Sequence, residues 1–238
     1  MNVLITGANG FVGRNLTQRL YALRDGRDRT RPALRIDEVL LYTRETAPET
    51  LAAYCRSADF VVHLAGVNRP QDPEEFETGN TDLTRTLLAQ LRQSGNHCPV
   101  LLASSIQASL TGRYAGSPYG QSKRAAEALL RAYSEQTGAL GLIYRFPNLF
   151  GKWCRPNYNS VVATFCHNIA RDMPIIVSDP AAELENIRRS IGKPMMRNYL
   201  ALLLLCLLEV AFQCYQIWTD PVDTLASPTA LLAATAYL

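Results

Sequence analysis

Asn2-Val3-Leu4-Ile5-Thr6-Gly7-Ala8-Asn9-Gly10-Phe11-Val12-Gly13 opens the chain after Met1, and its reading decides the fold. A short apolar run is followed at once by glycines at three-residue spacing, and then Val12, Leu16, Leu20 and Leu23 recur at helical spacing. Strand, glycine turn and helix in that order supply the context that a lone glycine pattern lacks. Gly7 would allow the tight turn, Gly10 the close approach of backbone to a pyrophosphate, and Gly13 close packing of helix on strand. The helix N-terminus would hold the phosphates through its free N–H groups and its dipole. Asn9, Phe11 and Val12 lie in the same turn and are read with it as cofactor-binding residues. The unit predicts an α/β fold, a doubly wound parallel sheet that binds a dinucleotide.

Working outward, Glu38 to Tyr42 reads as a second strand, followed by Thr43-Arg44. An acidic residue at the end of such a strand holds the ribose hydroxyls of NAD, whereas an arginine accommodates the extra phosphate of NADP. Arg44 therefore points to NADPH, with NADH as the alternative; its competing reading is an exposed loop arginine. Asp59-Phe60-Val61-Val62-His63-Leu64-Ala65-Gly66 reads as a buried parallel strand ending at a glycine turn, with His63 structural. A helix is expected from Phe76 to Arg92, with Leu83, Leu87, Leu88 and Leu91 on its apolar face. Pro99 to Ala103 and Leu140 to Tyr144 are further strands.

Ser104 and Ser105 follow one of those strands, and ligands of open α/β sheets bind at the carboxyl ends of strands. Fourteen residues after Ser105 come Tyr119-Gly120-Gln121-Ser122-Lys123. Ser117-Pro118 can start a helix there, which would put Tyr119 and Lys123 on one face. An ammonium beside a phenol lowers the phenol's pKa, making Tyr119 a usable acid or base. The spacing alone arises by chance on many helices. Strand, serine, interval and pair together make the functional reading.

The Gly-x-x-Gly-x-x-Gly turn, the Asp-x-Val-x-His-Leu-Ala strand, Ser105 with Tyr119 and Lys123, and Arg145-Phe146-Pro147-Asn148-Leu149-Phe150-Gly151 resemble the extended short-chain dehydrogenase/reductases, the NAD-dependent epimerase/dehydratase family of Rossmann type. The resemblance implies that Leu64, Ala65 and Gly66 line the cofactor, that Asp59 sits near its adenine side, that Asn80 is a supporting asparagine, and that Ser105 is the active-site serine with Ser104 as its structural partner. Gly66-Val67-Asn68-Arg69-Pro70, Ser104-Ser105-Ile106-Gln107-Ala108 and the run from Pro147 to Val161 are similar to the reductase domain of the CapF/WbjC capsular polysaccharide enzymes. That likeness implies NADPH-dependent reduction of the 4-keto group of a UDP-2-acetamido-2,6-dideoxy-hexos-4-ulose, in the making of UDP-N-acetyl-L-fucosamine for capsule or O-antigen. It implies that Tyr119 gives a proton to the carbonyl oxygen and Ser105 hydrogen-bonds it. Lys123 would lower the tyrosine pKa and hold the nicotinamide ribose. Asn148, Lys152, Arg155 and Asn159 become candidate substrate contacts, lysine and arginine suiting a diphosphate.

The resemblance runs from residue 1 to about 184, taken as the reductase domain with part of the substrate lobe. Residues 185–238 read as a divergent tail in which neither the rest of that lobe nor the relatives' C-terminal cupin domain is legible. A shifted reading frame beginning near Leu184 is one account: Ile187-Arg188-Arg189 stands where relatives carry Tyr-Val-Asp, and the coding DNA would decide it. The apolar run from Tyr199 to Leu208 is short for a membrane span.

Composition narrows the classes further. With 47% hydrophobic and 19% charged residues in 238, the chain reads as soluble and globular, and a net charge of +3 argues neither for nucleic acid nor for a membrane surface. The arginine-rich stretch from Arg24 to Arg35 is interrupted by Asp25 and Asp28 and reads as a solvated loop. The scattered cysteines have no metal-site spacing, so no metal is expected. They suit free thiols in a reducing cytoplasm, and the start of the chain carries no leader. The expected partner is a UDP-sugar, and the relatives' habit extends to a homodimer. Two other functions compete. A UDP-sugar 4-epimerase or dehydratase shares the Ser/Tyr/Lys set, although Ile106-Gln107 replaces the acidic pair of dehydratases. A truncated, non-catalytic nucleotide-binding remnant is the third.

Overall fold

The computed structural model describes residues 1–72 and 74–177. The divergent tail and its apolar run lie outside the described residues. Five strands, β1 (Asn2–Thr6), β2 (Glu38–Tyr42), β3 (Phe60–His63), β4 (Val100–Ser105) and β5 (Gly141–Phe146), form one parallel sheet in the order β2-β1-β3-β4-β5. The chain moves from β1 outward to β2, then returns to lay β3 on the other side of β1. In open sheets ligands bind outside the carboxyl ends at such a reversal, and the glycine turn follows β1 at that point.

Alternation along β1 divides the core. Val3 and Ile5 face α1 (Phe11–Arg24), whose Leu16 and Leu20 are fully buried against them. Leu4 faces the other way, toward α2 (Pro48–Ser57), the helical stretch ending in α4 (Leu83–Gln93), and α5 (Pro118–Thr137), which contribute Leu51, Leu87, Leu91 and Leu130. Each such leucine stabilises the fold by about 1.5–3 kcal/mol when fully buried. The helices are thereby fixed on both faces of the sheet.

The helix expected from Phe76 to Arg92 is not uniform. A short α3 (Glu74–Phe76) passes into a π-helical segment, Glu77–Asp82, before α4. Within the wide turn the Asn80 amide donates to the Val67 carbonyl at 3.0 Å, and its oxygen accepts from the Val67 N–H at 2.9 Å. Gly79 admits this approach, since a Cβ there would lie 2.3 Å from Val67 Cγ2. Strands β4 and β5 also run further than expected: Ser104 and Ser105 pair with Arg145 and Phe146. The helix α6 (Val161–Ile169) starts at Ser160, whose hydroxyl accepts from the Ala163 N–H.

Among the described residues no helix is long and apolar enough to cross a membrane, no cluster of metal-ligating side chains forms, and Cys55, Cys98, Cys154 and Cys166 are free thiols.

Candidate active site

The turn after β1 is built for close approach. Gly7 has φ +71°, and a Cβ on it would lie 2.7 Å from the Ala65 nitrogen, so the segment leaving β3 packs directly on the turn. A Cβ on Gly13 would lie 2.3 Å from the Gly7 carbonyl oxygen, so Gly13 packs α1 on the turn itself. Gly10 is the N-cap of α1 and offers no side chain; the first helical turn holds no acidic residue. No carboxylate from the helix's own first turn competes for the N–H groups at that terminus, which is an arrangement a pyrophosphate fits. Asn9, Phe11 and Val12 lie in this turn, and Leu64, Ala65 and Gly66 border it just beyond β3.

Arg44 is exposed just past β2. Beside it stands a residue that the sequence reading passed over, Glu45. Its carboxylate accepts from Asn9 Nδ2 at 3.1 Å and from the Thr43 hydroxyl at 2.7 Å. The Thr43 bond leads the interactions that hold this carboxyl below its usual range. Both signals of ribose recognition, an acid and an arginine, therefore border the same turn. Asp59 does not join them. It accepts from the Asn2 N–H at 2.6 Å, at the amino ends of β1 and β3. One residue before a parallel strand, it lies at the end of the sheet opposite the turn.

Ser105 ends β4, and Tyr119 and Lys123 lie on the first turns of α5, where Ser117 caps the helix by accepting from the Gly120 N–H at 3.0 Å. The same Ser117 hydroxyl donates to Gln107 Oε1 at 2.8 Å, and the Gln107 N–H donates to Ser105 Oγ at 3.2 Å. Gln107 thus ties the serine to the helix that carries the tyrosine. The Ser105 hydroxyl acts on the Tyr119 phenol, favouring its ionised form, and the Phe76 ring flanks it with centroids 5.9 Å apart.

The electrostatics depart from expectation. Burial pushes the Tyr119 phenol up to about 12; the Ser105 hydroxyl opposes this, and the nearby Tyr158 phenol adds to it. Lys123 does not lower the tyrosine here, because its Nζ stands 5.8 Å from the ring centroid and donates to the Ala103 carbonyl at 3.1 Å. Burial pulls that ammonium down to about 8. Tyr119 is therefore a protonated phenol at neutral pH, the state a proton donor needs. Asn80 ties in the first turns of α5: it donates to Ser122 Oγ at 2.9 Å, and Ser122 donates to the Tyr119 carbonyl at 2.9 Å.

Ser104, the neighbour of Ser105, donates to Glu127 at 2.6 Å. Glu127 lies one helical turn beyond Lys123 on the same inward face, a spacing that could have revealed it.

A cleft of about 440 Å³ is lined by Arg69, Asn148, Tyr158, Asn159 and the start of α6; neither Ser105, Tyr119 nor Lys123 lines it, and Tyr158, whose phenol acts on Tyr119, links the two. Two of the candidate substrate residues, Asn148 and Asn159, meet there. Arg69 and Tyr158 join them, the guanidinium 5.6 Å from the ring centroid; their loops follow β3 and β5, the position that could have marked them. Lys152 and Arg155 do not line this cleft. The Lys152 ammonium lies 4.2 Å from the centroid of Trp153, Arg14 covers the same ring, and Asn15 of α1 donates to the Lys152 carbonyl at 2.8 Å. That segment is thereby fastened to the helix of the glycine turn.

Comparison with known proteins agrees with this geometry. The family model described as NAD dependent epimerase/dehydratase matches residues 3–188. A reductase from Pseudomonas aeruginosa named for UDP-2-acetamido-2,6-beta-L-arabino-hexul-4-ose is 50% identical over 184 residues, covering 77% of this chain and 45% of that protein. The crystal structure of the capsular polysaccharide assembling protein CapF from Staphylococcus aureus aligns with a TM-score of 0.63 at 37% identity, over 92% of this chain and 60% of that one. The enzyme WbmF from Bordetella bronchiseptica, solved with NAD+, shares the fold with a TM-score of 0.62 at 22% identity, over 76% of this chain and 63% of its own. The chain spans about half the length of the curated relatives it matches first. With the glycine turn, the serine and the tyrosine–lysine helix in place on this sheet, the chain belongs to the NAD dependent epimerase/dehydratase family.

Proposed function

We propose that this chain reduces the 4-keto group of a UDP-2-acetamido-2,6-dideoxy-hexos-4-ulose, with NADPH as the preferred cofactor and NADH as the lesser one. The observation that carries the proposal is the meeting of Ser105 with a protonated Tyr119 at the carboxyl end of β4, above a buried Lys123 and beside the Asn148–Asn159 cleft. The likeness to the Pseudomonas aeruginosa reductase supplies the substrate class. A cytoplasmic homodimer belongs to the same reading.

The Gly7–Gly13 turn and the α1 terminus would hold the pyrophosphate, Leu64 to Gly66 the body of the cofactor, and Lys123 the ribose next to the nicotinamide. The nicotinamide, when bound, supplies the hydride. Ser105 donates a hydrogen bond to the substrate carbonyl oxygen, and Tyr119 delivers its proton to that oxygen. Lys123 acts here through the ribose it would hold and not through the phenol. Asn148 and Asn159, with Arg69 over Tyr158, hold the nucleotide sugar so that its carbonyl faces Tyr119.

The test is spectrophotometric. Purified protein, NADPH and the UDP-4-keto sugar are mixed, and the nicotinamide absorbance is followed beside Tyr119→Phe. Turnover in the wild type that is lost in the variant supports the reductase. NADPH binding without turnover sinks the catalytic reading and leaves a nucleotide-binding remnant; NAD that stays bound through purification, with C4 inversion of a UDP-sugar, would replace it with an epimerase.

A further inference from the structure

The imidazole of His63, fully buried, lies between two hydroxyls: Thr6 Oγ1 at 2.6 Å from Nδ1 and Thr84 Oγ1 at 2.9 Å from Nε2. The ends of this chain fix the direction of every bond in it. Thr84 Oγ1 lies 2.7 Å from the Asn80 carbonyl oxygen, to which it can only donate. Its one proton is used there, so it accepts from His63 Nε2–H. A neutral imidazole protonated at Nε2 presents Nδ1 as an acceptor, and the Thr6 hydroxyl donates to it. Thr6 Oγ1 in turn accepts from the Ala65 N–H at 3.2 Å. The donors therefore run one way, from Ala65 through Thr6, His63 and Thr84 to Asn80.

Both ends of the chain belong to the site. Thr6 is the last residue of β1, directly before Gly7, and Ala65 is the residue that packs on Gly7. At the other end, Asn80 holds Ser122, whose hydroxyl bonds the Tyr119 carbonyl. Gly66 closes the contact: a Cβ on it would lie 2.6 Å from Asn80 Oδ1 and 2.9 Å from Lys123 Nζ. Burial, with the Lys123 ammonium of α5 as the charged group acting on it, keeps the imidazole neutral, its pKa pulled down to about 3.

We propose that His63 is a positioning residue. Through this oriented chain it holds the glycine turn and the Tyr119–Lys123 helix in register, so that an anion bound at the turn is felt at the lysine. The proposal rests on the dinucleotide reading of the turn, not on the identity of the sugar.

Two measurements test it on the full chain. In 15N NMR, with His97→Gln and His167→Gln to assign the signals, His63 is expected as the neutral Nε2–H tautomer, unchanged between about pH 8 and about pH 5. An Nδ1–H tautomer, or titration in that interval, overturns the proposal. The second measurement is amide hydrogen exchange with ADP, which carries a pyrophosphate but no nicotinamide. In the wild type ADP should slow exchange at residues 7–13 and also at 119–123, by about fivefold or more. Thr84→Val, which keeps shape and removes one hydroxyl, should keep the first response and lose the second; Thr84→Ser should restore it. An unchanged response at 119–123 in Thr84→Val, or a wild-type response confined to the turn, defeats the coupling. If ADP protects neither segment of the wild type, the nucleotide reading itself fails and the coupling goes with it.

Discussion

The Glu127 carboxylate takes two hydrogen bonds from the Arg145 guanidinium, Nε to Oε1 at 2.7 Å and Nη2 to Oε2 at 2.6 Å. With the Ser104 bond, this joins α5 to β4 and β5 beside Ser105. The carboxylate side chain is only 3% exposed, whereas the guanidinium is 41% exposed, so solvent screens one partner and not the other. Removing Arg145 leaves the buried carboxylate with only the Ser104 hydroxyl and the Arg131 guanidinium, 3.9 Å away and largely exposed. Arg145→Met is expected to cost about 2 kcal/mol, below the usual range for a fully buried pair, and a urea titration at neutral pH would measure it. Burial raises the Glu127 carboxyl, but the Arg145 and Ser104 bonds outweigh it and hold it below its ordinary 4.5. A depressed carboxyl stabilises the fold above its unfolded pKa and loses that contribution as pH falls through the folded value. The wild-type advantage over Arg145→Met should therefore shrink below about pH 4.5; an advantage that stays constant through acid would refute the pair.

Gly120 fixes the distance between Ser105 and Tyr119. A Cβ there would lie 2.4 Å from the Gln107 carbonyl oxygen and 3.0 Å from its carbon, a clash with backbone that no rotamer relieves. Gly120→Ala should cost about 1–3 kcal/mol. Because the helix must then back away from Gln107, turnover should fall by about tenfold or more while NADPH affinity, set at the glycine turn, stays within about twofold. Thermal melts and steady-state kinetics on one preparation would measure both; equal losses in kcat and cofactor affinity would mean a general collapse instead.

What the sequence made legible was whatever period and spacing carry. The strand, turn and helix from Asn2 to Leu23, and the interval from Ser105 to Lys123, are local patterns, and each stands in the structure where those patterns put it. Less visible was what depends on three dimensions. Glu45 meets Asn9 across 36 positions, and Glu127 meets Ser104 and Arg145 from another element. The π-helical turn at Asn80 brings Gly79 against Val67, a contact between segments that no helical periodicity encodes. Lys123 misled for a different reason: charge sign predicts a lowered tyrosine pKa, but burial of both groups outweighs it at the observed separation.

Cofactor preference should turn on the two neighbours beyond β2. Arg44→Ala is expected to weaken NADPH binding by about tenfold and to spare NADH, because only the extra phosphate needs the cation. Glu45→Ala should do the reverse, weakening NADH and favouring NADPH by relief of charge repulsion. Fluorescence titrations of both nucleotides against both variants would check this. If Arg44→Ala weakens the two nucleotides alike, the arginine does not read the phosphate and the preference for NADPH loses its support.

Lys123 sets function against stability. Its ammonium is buried with a carbonyl acceptor and is pulled from 10.5 to about 8. Below about pH 8 both the folded and unfolded forms are protonated and the full penalty of burying the charge is present. Between about pH 8 and 10.5 the unfolded chain binds more protons than the folded one, so stability rises with pH through that window. Lys123→Met, one atom shorter and without charge, should therefore raise stability at pH 7 by about 2 kcal/mol and remove this rise. The same variant should abolish reduction, since the donor proposed to hold the nicotinamide ribose is gone. In the wild type, kcat/KM should fall as pH climbs through about 8, because that ratio reports the ionisation of the free enzyme. Calorimetry across pH 7 to 10 on wild type and variant, beside a pH–rate profile, separates the two effects. A Lys123→Met protein no more stable than wild type at pH 7 would mean that the buried ammonium carries no net cost. The fall in rate would then need another group.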